Sequence, residues 1–274
     1  MISKIRNIAS QLESAYPADE AQALAWWIAE ELSGLSRTQL LCGCKDTTFL
    51  ANTQAIVERL LHFEPIQYIF GHTLWNGLDL KLTPATLIPR PETAELVEKI
   101  TNYQLPITNC RVLDIGTGTG CIAIALKKAH PEWNVTGIDI SPEAIDVARE
   151  NAKRNNVEVD FQVADIFNHQ SPITNHQYDL VVSNPPYICE SEKKDMRPNV
   201  LNYEPASALF VPDHDPLRFY RRIAELKLGH YLFFEINEHF SDEMEALLQE
   251  YGYQNIRIHR DAYNKARIAE GRII

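Results

Sequence analysis

Residues 113–120 read LDIGTGTG: the end of an apolar run, Val112-Leu113-Asp114-Ile115, passes directly into glycines at alternate positions, Gly116, Gly118 and Gly120. An apolar run that stops at glycines and resumes as a helical pattern near Cys121 is a strand, a tight turn and a helix. Glycine permits positive φ and close approach of a ligand to the backbone, and the first turn of the next helix offers unpaired N–H groups. Working outward, four more strands are predicted: NVTGIDI (134–140), VDFQVADI (159–166), YDLVVSN (178–184) and HYLFFEI (230–236). Helical patterns beginning near Cys121 and Pro142 separate the first three strands, and NIRIHRD and KARIAEGRII predict a terminal strand pair. Continuous apolar strands alternating with helices imply a parallel sheet covered on both faces. The fold class is therefore α/β, an open doubly wound sheet whose ligands sit beyond the carboxyl ends of its strands.

The earlier part of the chain has a different texture. Ile5, Ile8, Leu12 and Tyr16 recur at helical spacing, PADEAQALAWWIAEELSG (17–34) has a helix start and a closing Gly34, and a further helix is predicted to begin at Asp46. These predict a small helical bundle; Trp26 and Trp27 are read as packed between helices, over the alternative of a partner-binding surface. Asn76-Gly77 within LWNGLDLKL (74–82) signals a two-residue hairpin turn, and the prolines of TPATLIPRPET (83–93) interrupt regular structure. The expected organisation is a helical domain over residues 1–72, a hairpin and proline-rich linker over 73–90, and a larger α/β domain over 91–274.

Composition narrows the function classes. Of 274 residues, 45% are hydrophobic and 23% charged, the balance of a water-soluble globular protein. The formal net charge of −11 argues against a broad basic face gripping nucleic acid, so direct DNA binding is not expected. Residues 1–20 contain no continuous apolar run, so neither a secretory signal nor a membrane span is expected there, and the expected location is cytoplasmic. Five scattered cysteines fit reduced thiols; Cys42-Gly43-Cys44 lacks the spacing and second pair of a zinc site, and the nine histidines form no HExxH or i, i+4 pair. No metal is expected.

The strand ends carry the chemistry. The G-x-G-x-G spacing differs from the dinucleotide G-x-G-x-x-G, and no basic residue accompanies it to meet a pyrophosphate. Asp139 ends the second strand 19 residues after Gly120, where a carboxylate accepts from both hydroxyls of a ribose; Ser141 is available to cap the helix that follows. A nucleoside without phosphates fits. Asp165 and Ile166 at the third strand end offer a carboxylate for an exocyclic amine and an apolar side chain for an adenine ring, although a solvated Asp165 is the plainer reading. The fourth strand ends in Asn184-Pro185-Pro186-Tyr187. An amide carbonyl beside a proline carbonyl makes two stiffly held acceptors for one NH₂ group, and Tyr187 adds an aromatic face and a phenolic donor. A proline-stopped strand and loop is the plainer reading of that stretch too; its place after the glycine loop and Asp139 at successive strand ends favours the clamp.

DIGTGTG, GID and SNPPY together resemble the S-adenosylmethionine-dependent amino-methyltransferases. With PIQYIFG, LIPRPET, NYEPASALF and DPLRFYRRI the resemblance is to one branch, the peptide chain release factor N5-glutamine methyltransferases of the PrmC/HemK family, from about residue 55 to the end of the chain. The resemblance implies a Rossmann-like class I methyltransferase fold with a mostly parallel seven-stranded sheet, S-adenosyl-L-methionine as cofactor with S-adenosyl-L-homocysteine as product, and class I release factors as partners. It implies that Gly116, Thr117, Gly118, Thr119 and Gly120 wrap the methionyl part, Asp139 holds the ribose, Ile166 flanks the adenine and Asn184 borders the cofactor. Asn184, Pro185, Pro186 and Tyr187 would hold the glutamine of a GGQ loop, with Asn184, Pro185 and Tyr187 catalytic. Because a bare glutamine offers little surface for selection, the helical domain is expected to dock the protein substrate. Two positions depart from the family pattern: Ala94 replaces the second acid of PRPETE, leaving Glu92 or Glu95 nearby, and Asn237 follows Glu235-Ile236 where the family has glycine. The rival readings are a DNA or RNA amine methyltransferase, since adenine N6 would satisfy the same clamp, a non-catalytic module recognising release factors, and a nicotinamide enzyme.

Overall fold

The structure, a computed structural model, describes residues 1–42, 48–51, 53–103, 105–168 and 178–273. It divides into two units, Met1–Gly71 with Arg197–Tyr203, and His72–Met196 with Glu204–Ile274. Among the described residues no helix is long and apolar enough to cross a membrane.

The first unit is helical. α1 (Ile2–Leu12) buries Ile5, Ile8, Ala9 and Leu12, the stripe that its spacing predicts, against α2 (Ala18–Ser33). α2 stops where Gly34 takes the left-handed conformation, φ 67°, and returns its N–H to Glu30 O. Trp26 is buried; Trp27 is only partly so and donates to Glu31 Oε1. The short α3 (Arg37–Leu41), not anticipated from the sequence, is set by a capping box between Ser36 and Gln39. The predicted helix start at Asp46 lies outside the described residues. The helix itself, α4 (Gln54–Leu61), begins later, because its buried positions Val57 and Leu60 come only after residue 53, while Thr48–Leu50 forms a separate 3₁₀ turn. α5 (Ile66–Phe70) follows, and α9 (Pro198–Leu201) joins from far along the chain, Arg197 pairing with Glu20 and Tyr203 donating to His62 O.

The second unit opens with the hairpin β1 (His72–Trp75) and β2 (Leu78–Lys81), turned by Asn76 and Gly77 at φ 47° and 74°. The hairpin expected within residues 73–90 is present, and it packs into the core of this unit. Trp75, Leu78 and Leu80 alternate into the main core, and Asn151 clamps the edge, accepting from Lys81 N and donating to Lys81 O and Thr119 O. Alternating apolar side chains that find a core to enter are structural, whatever the prolines beside them suggest.

α6 (Pro91–Thr101) leads into β3 (Arg111–Ile115), α7 (Cys121–Ala129), β4 (Asn134–Asp139), α8 (Pro142–Arg154), β5 (Asp160–Val163) and β6 (Tyr178–Ser183). A short parallel pair, β7 (Ile188–Cys189) and β8 (Phe210–Val211), precedes α10 (Arg218–Leu226), β9 (Gly229–Glu235), α11 (Ser241–Glu250) and the final strands β10 (Gln254–Arg260) and β11 (Ala266–Arg272). The seven-stranded sheet has the order β10-β11-β9-β6-β3-β4-β5; β9 to β5 are parallel, and β11 runs antiparallel to both neighbours. All strands predicted from the sequence are present. Val112, Leu113, Leu180, Val182 and Phe233 are at most 1% exposed, each contributing about 1.5–3 kcal/mol through burial. After β5 the chain returns to the other side of β3, so the order reverses between β3 and β6. A ligand crevice belongs at that reversal.

Candidate active site

Sheet register brings three strand ends into line. Ile115 pairs with Ser183 and Ser183 with Phe234, so Gly116 and Asn184 stand one residue beyond β3 and β6, level with Glu235, the last residue of β9. In front of them lies a cavity of about 450 Å³. Gly116, Gly118, Asp139, Asp165, Ile166, Asn184, Pro185 and Pro186 all border it.

The glycine loop is built as a cradle. Gly116 and Thr117 donate to Ile138 O, both at 2.9 Å, and Gly118 donates to Asp139 Oδ2 at 2.9 Å. Gly116 and Gly118 have φ of 72° and 53°, with nothing within 4 Å of where a Cβ would stand. Gly120 serves packing instead, since a Cβ there would lie 3.0 Å from Phe161 and 3.1 Å from both Ala148 and Ile124; this glycine lets α7 approach the sheet. Thr117 and Thr119 are buried behind the loop and do not border the cavity. Thr117 Oγ1 donates to Asp114 Oδ2 at 2.6 Å, leaving Oδ1 of this fully buried carboxyl without a partner among the described residues. Burial pushes Asp114 up to about 7 despite the Thr117 bond.

Asp139 accepts from Gly118 N–H with one oxygen and from Ser141 N–H with the other, while Ser141 Oγ caps α8 by accepting from Ala144 N–H. Burial raises Asp139 and these backbone donors oppose the rise. Asp165 Oδ1 accepts from Phe167 N–H, making a local turn at the cavity edge. Ile140, 64% exposed, and Phe219 also border the cavity. An apolar side chain left in water beyond a strand end is the signal that could have marked Ile140.

The proline-rich segment forms one wall. Ala85, Thr86 and Leu87 face the cavity from one side and Pro205, Ser207 and Ala208 from another. Glu204 fastens these stretches: its side chain, 1% exposed, accepts from Ile88 N–H at 3.2 Å and from Arg90 at 2.7 Å. Trp75 Nε1 donates to Arg90 O. This buried acid joins LIPRPET to NYEPAS, a contact that neither stretch announces.

Asn184 directs its Nδ2 to Thr93 Oγ1 at 3.2 Å, and Thr93 Oγ1 donates to Glu235 Oε2 at 2.7 Å. No described hydrogen bond uses Asn184 Oδ1, so an amide oxygen is available at the cavity wall. Pro185 adds a carbonyl with no N–H beside it. Tyr187, expected to face a substrate, does not border this cavity: its hydroxyl donates to Glu235 Oε1 at 3.1 Å, and burial beside that acid raises the phenol. Sequence reasoning overlooked Thr93 and gave Glu235 no role. Of the two departures, Ala94 packs against the core, and Asn237 caps the turn at Glu238–Phe240 while donating to Tyr187 O.

Residues 4–71 match the family model of the PrmC N-terminal domain and residues 92–202 that of the methyltransferase small domain. The chain is 43% identical over 270 residues to the release factor glutamine methyltransferase of Bacteroides thetaiotaomicron, spanning 95% of this chain and 96% of that one. It belongs to the release factor glutamine methyltransferase family. The enzyme of that name from Flavobacterium psychrophilum is 39% identical over 279 residues, 96% of this chain and 97% of its own. A methyltransferase structure from Pyrococcus furiosus superposes with a TM-score of 0.53 at 18% identity, covering 80% of this chain and 98% of that one, a likeness of fold. As a family member, this chain has the class I methyltransferase fold expected from its motifs. Among the described residues no cluster of three metal-binding side chains occurs.

Proposed function

We propose that this protein transfers a methyl group from S-adenosylmethionine to the side-chain amide nitrogen of the GGQ glutamine in class I peptide chain release factors. The observation that carries the reading is the free Asn184 Oδ1 beside the Pro185 carbonyl, on the wall of the cavity that the glycine loop and Asp139 border. The residues fit the cofactor: open space over Gly116 and Gly118 admits a methionyl chain, Asp139 stands where ribose hydroxyls can donate, and Ile140 and Ile166 offer apolar flanks for a base. When bound, S-adenosylmethionine supplies an electrophilic sulfonium methyl.

The chain's own part is positioning. A carboxamide nitrogen is a poor nucleophile because its lone pair is delocalised into the carbonyl. Asn184 Oδ1 and Pro185 O accept from its two N–H groups, holding the nitrogen in line and favouring pyramidalisation as the bond to carbon forms. Charge passes to that nitrogen, where the two carbonyl dipoles stabilise it. Its proton becomes acidic only once methyl transfer is under way and then passes to solvent water, so no strong base is needed. Tyr187 acts from behind, on Glu235.

The helical unit over residues 1–71 with 197–203 is read as the docking element for the protein substrate, because a single glutamine side chain offers little surface for selection. A net charge of −11 favours a protein partner over DNA, and release factors act where translation ends, which makes the location cytoplasmic.

The test is transfer of radiolabelled methyl from S-adenosylmethionine to purified release factor, with mapping of the labelled peptide. Label on the GGQ glutamine is expected. Label on adenine in DNA or RNA, with none on the release factor, overturns the reading.

A further inference from the structure

Oxygen and nitrogen of an asparagine carboxamide are nearly equal in size, so shape does not decide which of them faces a cavity; hydrogen bonding does. The clamp requires an acceptor in front, since an NH₂ group there would meet the substrate's NH₂ donor to donor. We propose that Thr93 and Glu235 together set the orientation of the Asn184 carboxamide, with Thr93 as a positioning residue for methyl transfer. This rests on the methyltransferase reading above.

A hydroxyl carries one proton. Burial raises Glu235, and the hydrogen bonds it accepts from Thr93 and Tyr187 oppose the rise; ionised, it accepts only, so the Thr93 proton goes to Glu235 Oε2, 2.7 Å away, and the face of Oγ1 towards Asn184 presents lone pairs. Those lone pairs take an N–H, which is the observed contact from Asn184 Nδ2 at 3.2 Å. Rotating the amide by 180° would set Oδ1 against an oxygen with no proton left to give. The preferred orientation therefore leaves Oδ1 for the cavity.

Glu235 is itself held firmly. It is 3% exposed, Tyr187 donates to its Oε1 at 3.1 Å and Tyr220 donates to its backbone oxygen at 2.8 Å. The sheet fixes it beside Asn184 through the Ser183–Phe234 pair. Thr93 comes from the first turn of α6, immediately after Pro91 and Glu92. The relay joins three elements far apart in the chain, and neither Thr93 nor Glu235 borders the cavity.

Thr93→Val keeps the shape of the side chain and removes the hydroxyl; Thr93→Ser keeps the hydroxyl. For the valine variant we expect kcat for methylation of release factor to fall roughly 10- to 100-fold, the size of one lost orienting hydrogen bond. KM and S-adenosylhomocysteine affinity by calorimetry should change little, Tm should fall because buried Glu235 loses a donor, and serine should restore most of the rate and of the Tm. An independent readout is the nuclear Overhauser contact between the Asn184 side-chain NH₂ protons and the Thr93 methyl group in wild type, which reports amide orientation whether or not release factor is the substrate. Wild-type kcat in Thr93→Val, equal losses in both variants, or absence of that contact overturns the proposal. The contact present with no methylation of release factor by wild type leaves the orientation standing and overturns the proposed function instead.

Discussion

Asp139 Oδ2 and the backbone N–H of Gly118 are 2.9 Å apart, so the end of β4 holds the glycine loop that follows β3. On the proposed reading the same carboxylate receives a ribose. Asp139→Ala should therefore loosen the loop and remove two acceptors together. The expected loss of S-adenosylhomocysteine affinity is roughly 10- to 100-fold, since hydrogen bonds to a charged group contribute about 1.5–3 kcal/mol each. Calorimetry checks this; unchanged affinity would remove Asp139 from the cofactor site.

Two glycines in one loop should fail differently. Gly120→Ala forces a Cβ against Phe161, Ala148 and Ile124 at φ 79°, and the chain should lose about 1–3 kcal/mol of stability. Gly118→Ala meets no neighbour, but its Cβ enters the cradle, so cofactor affinity should suffer more than stability. Urea melts and calorimetry on both variants test the contrast, and matching profiles would contradict it.

Asn184→Ala removes the free oxygen at the cavity wall. The kcat for release factor should drop on the order of 100- to 1,000-fold, the range seen when one transition-state hydrogen-bonding group is deleted. Cofactor affinity should fall far less. Full turnover in this variant would end the clamp reading.

Asp114 gives stability a pH dependence of definite sign. Burial holds its carboxyl at about 7 in the folded chain against an ordinary value of 3.8, so between those values the folded chain keeps a proton that the unfolded chain releases. Its contribution to stability thus declines as pH rises through that window. Asp114→Asn cannot ionise. The unfolding free energy of the variant minus that of wild type should rise from about pH 4 to about pH 7 and level off above; a flat or falling difference in urea melts refutes the assignment.

Removing residues 1–71 tests the docking role. Methylation of intact release factor should be lost while S-adenosylhomocysteine still binds and a short GGQ peptide remains a poor substrate. Loss of cofactor binding as well would assign those residues a folding role.

Much of this protein was legible in order along the chain. The strands at residues 111–115, 134–139 and 178–183 were readable because buried parallel strands are continuous apolar runs, and the hairpin because Asn76-Gly77 can take positive φ. Asp139 and Asn184 were legible because strand ends of an open α/β sheet are where ligands bind. What the stretch over residues 73–90 packs against was not legible beyond its hairpin, because prolines report local stiffness and carry no information about which surface a stiff segment meets. The bond from Tyr187 to Glu235 was not legible either, since its place in the chain does not say which way the phenol turns.

Local spacing, glycine conformation and the pairing rules of a parallel sheet thus determined the element order and where a nucleoside-like ligand belongs. Only the tertiary structure decided what stands behind the clamp. Thr93 and Glu235 lie 142 residues apart, and Glu204 reaches Ile88 across 116, yet each contact is a hydrogen bond near 3 Å. No pattern within one segment encodes such a bond, because its geometry exists only when β6, β9 and α6 have packed and the buried carboxylates have had to find donors.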